Sequence, residues 1–232
     1  MPFVPFIDPL YIIFLLPGLL VTIVAMFLLR IWTDENRRRI NSQGLSGADV
    51  LQKIAQAKGF PISMAITDQE LGDNYNPLNK TVTLSMAVAN ERSITSVGIA
   101  AHELGHVEQH ISGSALMAIR TTIAPVVSIG SNLGMILLMA GIVIGISQLA
   151  WIGVLFFAGT TLFTLITLPI ELDASRRAMR MITELRLLDA TELGGVRKVL
   201  IAAALTYVAA VLQSLGQLAY FAMQASGVRR ND

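Results

Sequence analysis

From Thr121 to Ile170 the chain contains no Asp, Glu, Lys, Arg or His. One helix needs about 20 apolar residues to cross a hydrocarbon core about 30 Å thick, so a stretch of this length reads as two spans. A short turn near Ser147–Ala150 would join them. Apolar runs at about Leu10–Ile31 and Val199–Met223 bring the number of expected spans to four. Pro17 and Gly18 inside the first are tolerable, because neighbouring membrane helices and local adjustment satisfy freed backbone groups. Only 14% of the residues are charged, well below the roughly 25% of a soluble domain. The expected fold class is a mainly α membrane protein, with four transmembrane helices and a small cytoplasmic α/β unit.

The first span differs from a cleavable leader. Its apolar core exceeds the 7–15 residues of such a segment, no basic residue precedes it and no A-x-A site follows it. It is read as a retained anchor. Basic residues fix the expected orientation. Arg30, Arg37, Arg38 and Arg39 follow the first span, Arg120 precedes the second, and Arg176, Arg177, Arg180, Arg186, Arg197 and Lys198 lie between the third and fourth. Residues 32–120 and 171–198 are therefore expected in the cytoplasm by the positive-inside rule, although Arg229 and Arg230 then fall outside. The organisation follows: anchor 1–31, cytoplasmic segment 32–120, paired spans 121–170, cytoplasmic helix 171–198, last span and tail 199–232. The absence of cysteine excludes disulfides and thiolate zinc sites. A net charge of +1 gives no reason to expect nucleic acid as a partner.

Residues 32–120 read as a small α/β unit. Ser46 and Asp49 form a capping-box pattern, Val50, Leu51, Ile54 and Ala55 a helical stripe, and Gly59 with Pro61 a stop. Ile62–Ile66 and Thr81–Met86 are β-prone, with turn chemistry between them at Gly72–Pro77, where Asn74 and Tyr75 are explained as turn formers. Thr81–Met86 alternates polar and apolar residues and is expected to be an exposed edge strand that could receive a peptide by β-addition. A helix starting near Ser93 and ending before Ser112 would carry Ile94, Val97, Ala101 and Leu104 on one face.

That helix bears His102-Glu103-Leu104-Gly105-His106, in a chain with only three histidines. Residues i and i+4 lie about 40° apart in azimuth and about 6 Å apart in rise, so both imidazoles can reach one tetrahedral ion. Glu103 falls beside such an ion, where it can take a proton from a zinc-bound water. The plain alternative is an amphipathic helix that spells these letters by chance. Two of three histidines at this spacing around a glutamate weigh against it. A third ligand would decide the class. His110 lies about 12 Å along the helix from His102, too far to share one ion, and reads as a surface or packing histidine. A carboxylate from a second helix is the alternative, and Glu171, at the end of a long apolar span just after Pro169, is best placed.

The HELGH string, the two apolar spans and then Glu171-Leu172-Asp173-Ala174-Ser175 resemble the YugP-type neutral zinc metallopeptidases. More distantly the chain is similar to the HtpX and CAAX-prenyl-protease families of integral-membrane gluzincins. The resemblance implies a zincin-like catalytic unit in which His102, His106 and Glu171 hold Zn2+ and Glu103 is the general base. Where the distant families carry an Asp that steadies a zinc-binding histidine, this chain has Ser175, whose hydroxyl is a weaker acceptor. Asp173 is about 200° round the helix from Glu171 and reads as solvated or ion-paired.

The expected function is an integral-membrane zinc endopeptidase acting on protein or peptide substrates through a zinc-activated water. Arg176, Arg177 and Arg180 could stabilise an oxyanion, but a juxtamembrane basic cluster more often meets lipid headgroups, making membrane lipid the second expected partner. Two other classes compete. A metal transporter would carry its site near the bilayer midplane, whereas the His pair falls in a polar segment and the spans before Glu171 hold no ionisable group. An inactive zinc-binding scaffold would have no use for Glu103.

Overall fold

The computed structural model describes residues 8–229. Its elements in chain order are α1 (Pro9–Arg37), α2 (Gly47–Lys58), β1 (Ser63–Thr67), β2 (Asn74–Asn76), β3 (Thr81–Ser85), α3 (Met86–Asn90), α4 (Ile94–Ile111), α5 (Ala115–Ile144), α6 (Ser147–Glu184) and α7 (Ala190–Arg229). The fold is mainly helical. α1, α5, α6 and α7 are each long and apolar enough to cross a membrane. The α5–α6 turn falls at Gly145, whose φ of +81° suits a residue without Cβ, so α6 begins where the turn was expected. The expected separate helix from residue 171 does not form, because α6 runs unbroken through Pro169 to Glu184.

The chain gathers into two compact parts. The first comprises α1 up to Val24, Ile119–Leu168 and α7 from Leu205. Here small residues let helices meet backbone to backbone. A Cβ on Gly141 would collide with the Ala150 amide nitrogen and one on Gly153 with that of Leu138, which fixes the α5–α6 approach. Gly18 faces the backbone of Gln213, and Gly216 faces the Phe14 carbonyl, which does the same for α1 and α7. Leu138, Val154, Phe157, Tyr220 and Phe221 fill the space between.

The second part comprises Ala25–Ala118 and Pro169–Ala204. The capping box holds as expected: Ser46 Oγ accepts from the Asp49 amide, and the Asp49 carboxylate accepts from the Ser46 amide. Gly59, at φ +66°, closes α2. Thr81–Ser85 forms a strand but not an edge. The sheet order is β1-β3-β2, with β3 parallel to β1 and antiparallel to β2. The turn-like Asn74-Tyr75-Asn76 supplies the third strand and covers the free side of β3, while Val82 and Leu84 are fully buried beneath it. Ser85 ends β3 and caps α3, and its amide donates to Asp73 Oδ1 at 2.7 Å.

Candidate metal centre

α4 is the buried axis of the second part. Ser93 caps it by accepting from the Ser96 amide, and Ile94, Val97, Ala101 and Leu104 are buried as the stripe predicts. α6 approaches at Gly105, inside the HELGH string. A Cβ there would collide with the Ala174 carbonyl oxygen. Ala174 and Ser175 lie three and four residues after Glu171, on the same face of α6. Close approach at Gly105 thus delivers Glu171 to the two histidines on α4.

The resulting distances fit a metal. Glu171 Oε2 lies 3.3 Å from His102 Nε2 and 3.5 Å from His106 Nε2. A tetrahedral zinc with bonds of about 2.0–2.1 Å spaces its ligand atoms about 3.3–3.4 Å apart. One ligand atom from each of the three residues lies within 4.8 Å of the others. The imidazole rings stand nearly perpendicular, at 85°, and both Nε2 atoms lie within 3.5 Å of the same Glu171 oxygen. Two borderline nitrogens and one carboxylate oxygen are a donor set zinc accepts. These three side chains fit the ion.

Both histidines are held from behind. His102 Nδ1 lies 3.2 Å from Ser175 Oγ, and His106 Nδ1 lies 3.0 Å from Gln109 Oε1. Ser175 therefore stands where the resemblance places a steadying group. Glu103 is 7% exposed. Burial pushes its carboxyl above the usual carboxylate range, nearby Glu171 and Asp73 add to this, and His102 and His106 oppose it. For His106, burial disfavours the cation, but the hydrogen bond to Glu171 and the charges of Glu103 and Glu171 outweigh it and raise the pKa.

A family described as "Putative neutral zinc metallopeptidase" matches residues 11–226. The chain belongs to this family. The chain is also 38% identical over 183 residues to "Putative membrane protease YugP" of Bacillus subtilis (strain 168), covering 78% of this chain and 81% of the relative. No solved structure matches the chain. Family membership implies zinc, and the three converging side chains could hold it. Together with the four apolar helices, the relative marks a multi-pass membrane protein.

The other singled-out residues sort themselves by contact. His110 is not part of the metal group, and its Nδ1 pairs with the Tyr75 hydroxyl at 2.7 Å. Asp173 is ion-paired, accepting from Arg177 Nε at 2.6 Å. Arg177 and Arg180 both reach Glu108 on α4, so these two arginines brace α6 against α4, whereas Arg176 is largely exposed. Gln109 escaped sequence reasoning. Its signal was position: three residues after His106 and seven after His102, it shares their helix face.

Proposed function

We propose that the protein is a zinc-dependent integral-membrane endopeptidase, with zinc held by His102, His106 and Glu171 and with Glu103 as general base. The convergence of three donor atoms from α4 and α6 beside a buried carboxyl carries the reading. When bound, zinc would lower the pKa of water toward about 7 and polarise a peptide carbonyl. Glu103 takes a proton from the attacking water as its oxygen adds to the carbonyl carbon. The same carboxyl returns that proton to the amide nitrogen as the C–N bond breaks, releasing a carboxylic acid and an amine, which ionise to a carboxylate and an ammonium in water. The raised pKa of Glu103 suits it to both halves of this exchange. Ser175 and Gln109 hold the two imidazoles from their Nδ1 sides.

Glu103→Gln tests the chemistry. It removes the base and keeps all three ligands, so about one zinc per chain should be retained while cleavage of a general protein substrate such as casein falls by at least 100-fold. A variant that cleaves as well as the parent removes Glu103 from this role, and a parent that binds zinc but cleaves nothing favours the inactive scaffold.

The substrate is a protein or peptide, the site faces the cytoplasm, and the exposed Arg176 meets lipid headgroups. The run of basic residues in 32–120 and 171–198 supports the orientation. The chain has no cysteine, so one placed at exposed Gln43 reports alone. It should resist an impermeant thiol reagent in intact cells and react after permeabilisation; labelling in intact cells inverts the orientation.

A further inference from the structure

Gln109 is 1% exposed, yet it is polar and uncharged and moves no proton in the chemistry above. Its amide spans two helices. Nε2 donates to the Ile170 carbonyl at 2.8 Å and to Asp173 Oδ2 at 2.9 Å, while Oε1 faces His106 Nδ1 at 3.0 Å. Both amide hydrogens are used, and Asp173 is itself held by Arg177.

This arrangement has only one satisfactory sense. Ile170 O and the Asp173 carboxylate are both acceptors, so the amide must turn its NH2 toward them. A flipped amide would set Oε1 against two oxygens and waste both donors. With NH2 fixed, Oε1 is an acceptor facing His106, and only an Nδ1–H can answer it. A proton on Nδ1 leaves Nε2 as the atom that would bind a metal, on the side where Glu171 lies 3.5 Å away. Ile170 immediately precedes Glu171, so the same amide also pins the backbone that carries the carboxylate. The other histidine lacks this constraint. His102 Nδ1 faces a serine hydroxyl, which can donate or accept equally well.

We propose that Gln109 is a positioning residue of the metal centre: anchored on Ile170 and Asp173 of α6, it fixes His106 as the Nδ1–H tautomer and aims Nε2 at the point shared with Glu171. The assignment rests on the zinc-peptidase reading for its purpose, but its geometry can be measured without cleavage. It makes Gln109 a link through which α4 and α6 present their ligands in register, with His106 the fixed ligand and His102 the adjustable one.

The test uses the full-length protein in detergent with 15N-labelled histidine. Three histidines give six ring nitrogens, which single His102→Gln and His110→Gln variants assign. In metal-free Glu171→Ala at alkaline pH, where no carboxylate competes for Nε2, His106 should carry its proton on Nδ1. Adding Gln109→Leu to that background should give a tautomer mixture, and Gln109→Leu alone should lower zinc affinity, measured by chelator competition, about 10–100-fold, the range for groups that orient a metal ligand. Ser175→Ala should weaken zinc less than Gln109→Leu. His106 protonated on Nε2 in metal-free Glu171→Ala overturns the proposal. A tautomer that Gln109→Leu leaves unchanged in that background overturns it too, even if zinc binding weakens, because the residue is then a packing element. Unchanged zinc affinity despite a changed tautomer also overturns it. A correct tautomer together with a parent that binds zinc but never cleaves peptides would sink the peptidase reading and leave Gln109 in place.

Discussion

The two compact parts of the chain are held together by opposite devices. In the first, contact is made through absence: Gly18, Gly134, Gly141, Gly153 and Gly216 remove side chains so that helices touch, and apolar rings fill what remains. In the second, contact is made through named polar atoms. His102, His106 and Gln109 on α4 reach Glu171, Asp173 and Ser175 on α6 across a single glycine contact at Gly105. The first part has a few polar ties as well, such as Thr164 to Ser214 and Tyr220 to Asp8, but its helix contacts rest mainly on small residues and apolar packing. The second tolerates few changes at its polar contacts, because its buried polar groups are tied to one another, as Gln109 is to His106, Ile170 and Asp173, and removing one leaves others unsatisfied. Among the described residues, the side chains that could hold a metal all lie in the second part.

The comparison is sharpest at Glu171, where the largest loss of metal is expected. Glu171→Ala removes one of the three proposed ligand atoms and leaves Glu103 and both imidazoles in place. Zinc affinity should fall by more than the 10–100-fold typical of groups that only orient a ligand. Chelator competition on the purified variant measures it. Retention of parental affinity would show that another carboxylate completes the centre.

Gly105→Val comes next. The glycine is not a ligand, but a side chain there must displace the Ala174 carbonyl and with it the face of α6 that carries Glu171. A shift of about 1 Å would stretch donor spacings now close to the edge of a zinc tetrahedron. We expect zinc affinity to fall about tenfold or more in protein that still folds. Parental zinc affinity in a folded Gly105→Val would mean that helix approach does not set the site.

The same contrast governs what could be read without coordinates. Long apolar helices, the Ser46 and Ser93 caps and the His pair are local patterns of period or spacing, and each is where its pattern puts it. What escaped is non-local. Asn74-Tyr75-Asn76 has turn chemistry, and only pairing with β3 makes it a strand and turns β3 from an edge into the centre of the sheet. Pro169 resembles a helix boundary, yet α6 continues through it. Gln109 reads as one more polar residue because its partners, Ile170 and Asp173, lie 61 and 64 residues away. Glu171 stood out because it is the first charge after a long apolar run and opens the segment that carries the family resemblance.

Gly141→Val is the change expected to leave the metal untouched, and it is the strictest test of the contrast. The new side chain meets the backbone at Ala150, where α5 and α6 pack most closely in the first part. Overpacking of this kind costs about 1–3 kcal/mol, so the thermal midpoint should fall by several degrees. None of the metal-facing side chains belongs to that part of the chain. Zinc stoichiometry and affinity in the folded protein should therefore equal those of the parent, even as stability drops. If zinc binding weakens together with stability, the strain travels along α6 from Ala150 to Glu171, and the two parts must be treated as one mechanical unit.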